Sequence, residues 1–430
     1  ALKETSKACL KRFLLNCKTM KARLQCLPYG WRLLLATVAL GIGTGLVGIA
    51  GHFLLDGVQR LAFGQERSDL LQQFQEAGGL RRFLVLSVTG ILAAGFWYIL
   101  QGRYKILSIR KQIDLVGDRD PAPLAHLLHA TMQVAIVGAG ASVGKSGAPR
   151  EVGALLAGRL GKVLSLTIKE RRVLIACGAG AGLAAVYQVP FASSLFVFET
   201  LGLAYHWRNV LLVLSSTYLA AWVAQPIVDH GAIYHMSLVH WSAGSFLHAV
   251  LVALLVTPLA LAFRFLASRA SQKRRKDEKI LWVLPLAFLV LASLAVFFPI
   301  FMGNGQVLAQ ALLSSRPIPY LLLTLVVKGL LVYLLLRNGT YGGTLTPSFT
   351  LGIGAGYLVT LIFEAVGIHL DPALGMLLGA TVFLGTTFQA PLTAIALSLG
   401  FTGQSWTLIL PLALSAGVSY VIQNRWENKR

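Results

Sequence analysis

The stretches YQVPFASSLFVFETLG (residues 187–202) and FQAPLTAIALSLGFTG (residues 388–403) carry the reading of this chain. Each runs aromatic, glutamine, small residue, proline, and then an apolar segment that ends near glycine. Apolar segments of about 10–14 residues are too short to cross a bilayer and read as broken or re-entrant helices. Upstream of each lies a second Gly/Pro-rich motif, GKSGAPREVGALLAG (144–158) and GGTLTPSFTLGIGAG (342–356). The order of motif, helix and aromatic–Gln–x–Pro thus occurs twice, about 200 residues apart. Two halves with paired broken helices mark an inverted repeat whose site sits near the midplane.

Composition agrees with a lipid setting. The 430 residues are 56% hydrophobic and only 13% charged, where soluble domains spend about a quarter on charge; mean hydropathy is +0.68. Apolar runs recur near 31–55, 83–101, 122–143, 173–203, 207–228, 245–268, 280–301, 318–337, 348–366, 372–399 and 405–423. Shorter pieces interrupted by Gly or Pro lie at 149–163, 190–201, 345–358 and 391–400. The expected fold is therefore an all-α polytopic membrane bundle with broken helices and two inverted repeats. The first repeat is expected over 31–228 and the second over 229–423, between an amphipathic N-terminal segment (1–30) and a short cytoplasmic tail (424–430). No regulatory domain is expected beyond that tail.

Net charge is +21. The excess sits in clusters between apolar runs, as in RFLASRASQKRRKDEK (264–279), which suits cytoplasmic loops better than nucleic-acid binding. Cys9, Cys17, Cys26 and Cys177 have no framework spacing and read as reduced thiols. Residues 1–30 carry too many Lys and Arg for a secretory signal.

A helix N-terminus offers unpaired N–H donors and about half a positive charge. That attracts a dehydrated anion without holding it as a full cation would. Glycines for close backbone approach and a proline in the first turn are the requirements. Gly144, Gly147 and Pro149 meet them in one motif, Gly342, Gly343 and Pro347 in the other. The pore-lining residues expected from this reading are Gly144, Lys145, Ser146, Gly147, Gly343, Thr344 and Leu345. Lys145 and Arg150 flank the first motif, with pairing inside the protein their expected use.

Over nearly its whole length the chain resembles the CLC-type chloride channels and proton-coupled anion transporters. GASVGKSGAPREVGALLAG (140–158) is similar to the family's G(K/R)EGP motif, and GAGAGLAAVYQVPFASSLFVFE (178–199) to the stretch GLAAAFNAPLAGxLFxxE. GGTLTPSFTLGIGAG resembles GGxFxPxLxxGAxxG, and FLGTTFQAPLTAIALSL (383–399) resembles the last motif, AxxFRAPLTAIxLxxE. The resemblance implies a homodimer with one anion pore per subunit. Departures from the pattern bear on mechanism. The position of the family's gating glutamate holds Ser146, and the position of its internal proton acceptor holds Thr200. The motif whose serine caps the central anion is missing; its place falls near LSIRK (107–111), making Ser108 the candidate. The tyrosine expected near the C-terminus has no match, Tyr420 coming too early.

Ser146 and Thr200 do not titrate near neutral pH, whereas proton coupling needs groups that change charge with anion occupancy. The expectation is passive transport of a small anion, chloride first, without proton coupling. The alternatives are an anion/proton antiporter with relocated acids (Glu151 or Glu199) or a fluoride- or nitrate-selective relative. Glu151, five residues past Ser146, should face another direction, and Glu199 should serve a salt bridge. The nine histidines show no metal spacing, and His126 and His129 share a helix face with no carboxylate evident nearby. No cofactor, metal, nucleic acid or enzymatic cluster is expected. The partners are the anion, the bilayer and a second copy, in what reads as a bacterial inner membrane.

Overall fold

The computed structural model describes residues 27–64, 70–118, 120–229, 231–314 and 320–428. The amphipathic segment expected over 1–30 lies, up to residue 26, outside the described residues. Among those described, the chain is helical, with no strand beyond one isolated backbone bridge. In chain order the helices are α1 (Tyr29–Phe63), α2 (Leu70–Glu76), α3 (Gly79–Arg103), α4 (Ile109–Asp114), α5 (Pro123–Gly138), α6 (Gly147–Val163), α7 (Ile168–Tyr187), α8 (Pro190–Glu199) and α9 (Trp207–Ala224). The second half supplies α10 (Gly244–Gln272), α11 (Ile280–Phe297), α12 (Gln306–Leu313), α13 (Leu321–Arg337), α14 (Leu345–Ala365), α15 (Pro372–Phe388), α16 (Pro391–Thr402) and α17 (Ile409–Glu427). It is an all-α membrane protein. α1, α3, α10, α11, α14 and the segment Trp406–Glu427 are long and apolar enough to cross a bilayer.

The two Gln–x–Pro signatures act as helix breaks. Gln188 and Gln389 follow α7 and α15 in the left-handed region, with φ of 55° and 54°. Their N–H groups close the last turns on Ala184 O and Gly385 O. Pro190 and Pro391 then open α8 and α16, where a first-turn proline loses no intrahelical bond. The runs 173–203 and 372–399 are thus each two helices, as the shorter pieces at 190–201 and 391–400 anticipated.

Glycines hold the matching helix pairs close. A Cβ at Gly153 of α6 would lie 2.1 Å from Gly178 O of α7, and one at Gly182 would lie 2.2 Å from Pro149 O. In the second half a Cβ at Gly356 of α14 would lie 2.0 Å from Gly375 O of α15, and one at Gly379 would lie 2.3 Å from Gly352 O. Backbones approaching this closely gain dispersion contact that larger residues would forfeit, the usual driving force between helices in lipid. α6 and α14 are therefore seated rigidly, which fixes where their N-termini point.

Candidate anion-binding site

The N-termini of α6 and α14 are tied together. Gly144 N donates to Gly343 O and Gly343 N donates to Gly144 O, both at 2.7 Å. No side chain fits between the strands of this bridge, since a Cβ at Gly144 would stand 2.7 Å from Gly343 O. With Gly144 and Gly343 N–H consumed, the donors left at the junction are those opening each helix. Pro149 and Pro347 have none, so Gly147 and Ala148 of α6, with Leu345 and Thr346 of α14, supply them. Two helix ends converging on one point add their partial positive charges there.

Ser146 precedes α6 at this junction, buried, with its Oγ making no hydrogen bond of ordinary geometry and the Tyr187 phenol close by. That Oγ lies over Gly343, where a Cβ would meet it at 2.2 Å. Thr344 precedes α14 in the same role, again without a side-chain cap, and Leu345 is buried behind it. Tyr187 links the motifs: its hydroxyl is 3.2 Å from Thr346 Oγ1, and Lys145 Nζ stands 5.8 Å from its ring centroid. A cavity of about 440 Å³ is lined by Lys145, Pro149, Tyr187 and Thr346, and also by His52 and Asp229. The structure thus brings Gly144, Lys145, Ser146, Gly147, Gly343, Thr344 and Leu345 into one place.

Ser108 is not among them. It is exposed, opens the short helix α4 and accepts Lys111 N at 3.4 Å; among the described residues it makes no hydrogen bond to either motif. Arg150 has no carboxylate partner among the described residues. Its Nε donates to Ser146 O at 2.7 Å and its guanidinium lies 5.3 Å from the Phe196 ring, holding the carbonyl just ahead of α6. Lys145 makes no ion pair within reach among the described residues and faces the cavity.

Two carboxylate expectations change. Among the described residues Glu199 forms no salt bridge; its oxygens accept Leu392 N at 3.0 Å, Thr393 N at 2.6 Å and Thr393 Oγ1 at 2.5 Å. It caps the N-terminus of α16, where a carboxylate complements the helix dipole. Thr200 follows, its hydroxyl buried and without a hydrogen-bond partner among the described residues. Glu151 turns toward α5, where His126 Nδ1 lies 2.5 Å from Oε1 and His129 Nδ1 lies 2.9 Å from Oε2. The histidines therefore have the carboxylate that looked absent: α5 packs on α6 and closes separations of 25 and 22 residues that no helix-face pattern exposes.

Tyr187 and Thr346 are the residues at the junction that sequence reasoning passed over. The aromatic of the first Gln–x–Pro signature was the available signal for Tyr187. Tyr420, at the end of the chain, is exposed and far from this role.

A profile of the family described as voltage gated chloride channel matches residues 109–424. Among curated proteins the chain is 28% identical over 320 residues to a putative chloride channel protein ClcB-like of Ralstonia nicotianae, covering 71% of this chain and 73% of that one. It is 26% identical over 421 residues to the voltage-gated ClC-type chloride channel ClcB of Shigella flexneri, covering 91% and 95%. Among solved structures it resembles a slow cyanobacterial Cl⁻/H⁺ antiporter (TM-score 0.79, 20% identity, covering 92% and 95%). It also resembles a CLC-type fluoride/proton antiporter (TM-score 0.73, 22% identity, covering 91% and 95%). With a profile spanning well over half its length, the chain belongs to the voltage gated chloride channel family.

Proposed function

We propose that the protein moves small inorganic anions, chloride first, passively across a membrane through the junction of α6 and α14, without proton coupling. The observation that carries this is Ser146: a hydroxyl, buried beside the Tyr187 phenol, stands where two helix N-termini meet. It can donate to an anion but cannot compete for the site as a carboxylate would. Neither remaining acid is free to replace it. Glu199 is held by three hydrogen bonds at α16, and Glu151 is held by two histidines and Gln133.

The second reading is proton exchange through Glu151, supported by the two antiporters of similar fold and by the two histidines hydrogen-bonded to that carboxylate. Purified protein in liposomes separates the two: a chloride gradient with both chloride and proton flux recorded should give chloride movement with no stoichiometric proton movement. Backbone donors discriminate weakly among anions, so fluoride and nitrate belong in the same assay. The cell location we propose is a bacterial inner membrane, following the ClcB relatives. The assembly we propose is a homodimer joined through α8, α9, α16 and α17, where Phe191, Trp222, Leu392 and Leu410 are exposed. Native mass measurement in mild detergent checks it, a purely monomeric species counting against it.

A further inference from the structure

Behind the anion junction lies a closed set of polar side chains that the transport reading does not use. His126 and Glu151 are at most 10% exposed and His129 is 3% exposed. Leu107 N–H donates to His126 Nε2 at 3.3 Å, so the ring's proton is on Nδ1 and is given to Glu151 Oε1. A proton must also sit between His129 Nδ1 and Glu151 Oε2, two atoms 2.9 Å apart that would otherwise oppose lone pairs. Gln133 Nε2 donates to the same Oε2 at 3.0 Å and crowds His129 Nδ1 at 2.9 Å. This assignment leaves two neutral rings around one carboxylate, a buried net charge of −1. It also leaves one open position, because His129 Nε2 is buried with no hydrogen-bond partner among the described residues. A proton there makes the cluster neutral, which relieves the cost of a buried net charge.

The cluster touches both halves of the junction. Gln133 Oε1 lies against Gly147, where a Cβ would meet it at 2.7 Å. The His129 ring packs edge-on to Tyr341, 4.5 Å between centroids, immediately before Gly342 and Gly343. Its other neighbours are Trp97 of α3 and, through the Tyr341 ring at 3.9 Å, Arg274 from the connection after α10. The other charges near α5 and α6 are engaged elsewhere. His52 pairs with Asp56 on α1, Lys145 and Arg150 turn to Tyr187 and Ser146 O, and Arg171 and Glu170 of α7 bind Asp120 and Arg208.

We propose that the His126–Glu151–His129 cluster is a proton-binding site that sets the pH dependence of anion passage, an inference that rests on the transport reading above. Five residues of α6 separate Glu151 from Ser146, about 7.5 Å of helix. A unit charge about 8 Å from a bound anion, at an effective dielectric of about 20, changes its occupancy roughly ten- to thirtyfold. Flux is therefore lower when the cluster is anionic and rises as pH falls through its titration. Position 146 carries no acid to pass the proton on, so the cluster biases passage without driving it.

The test combines histidine-selective ¹⁵N magnetic resonance with chloride efflux from liposomes of the same protein, between pH 4.5 and 8.5. The expected result is a ring titration assigned to His129 that is lost in His129→Gln, together with efflux that grows about tenfold on acidification. Glu151→Gln should flatten that pH profile at the acid level. A ring that keeps one state over the whole range overturns the proposal, even if no variant folds. So does a folded Glu151→Gln protein that retains the wild-type pH slope. Ring titration in a protein that passes no anion supports the proton site and removes the transport reading instead.

Discussion

Placing a carboxylate at position 146 should close the pathway, and the structure gives the size of the effect. The Ser146 side chain already lies over Gly343, between the ends of α6 and α14. A glutamate there would aim its carboxylate at both helix N-termini. Each end carries about half a charge, and at about 4 Å and an effective dielectric of about 20 each attracts a full negative charge by roughly 2 kcal/mol. Allowing for one end, since α6 bears the side chain itself, the carboxylate sits in the junction about thirtyfold more often than out of it, leaving the site open to an anion roughly one thirtieth of the time. Ser146→Gln is the control, matching the bulk without the charge. Chloride efflux from liposomes at pH 7.5 should be about thirtyfold slower for Ser146→Glu than for Ser146→Gln, and the two should converge as the carboxyl protonates on acidification. The block is present while the group is charged and is lost as pH falls through its titration. Equal efflux of the two variants at neutral pH would refute the claim that anions pass between these helix ends.

Other outcomes follow from particular contacts. Glu199→Ala strips the cap from α16 and should lower stability by about 1–2 kcal/mol, read as a drop in Tm in detergent, while leaving the pH dependence of flux as in the wild type. Gly356→Ala drives a Cβ against Gly375 O and should cost about 1–3 kcal/mol or more, displacing α14 and reducing both Tm and efflux. Lys328, fully buried in α13, donates to Phe301 O and Gly303 O at 2.9 Å each. Lys328→Met leaves both carbonyls unpaired at roughly 1–3 kcal/mol each, and protease cleavage near 299–305 should accelerate.

The broken helices were legible because their cause is local. A Gln–x–Pro break needs only a left-handed residue and a first-turn proline, and both copies show it at Gln188–Pro190 and Gln389–Pro391. The glycine motifs pointed to close backbone approach, and the Gly144–Gly343 bridge is such an approach between distant segments. What stayed hidden depends on which faces meet. Nothing along the chain relates Glu199 to Leu392 and Thr393, because that contact exists only once α8 packs on α16. The Glu151–histidine cluster was missed for the same reason: α5 and α6 are consecutive, yet no repeat along the chain marks which of their faces meet. Ser108 was placed by its order in the chain, and the structure shows an exposed hydroxyl capping its own helix.

The most direct test of the account is simultaneous recording of chloride and protons from unmodified protein in liposomes carrying an outward chloride gradient. Passive passage through a junction that carries a serine in place of a titrating gate predicts steady chloride efflux with an external pH trace no different from that of protein-free vesicles. Uphill proton movement in a fixed ratio to chloride would contradict it and would make Glu151 the proton carrier.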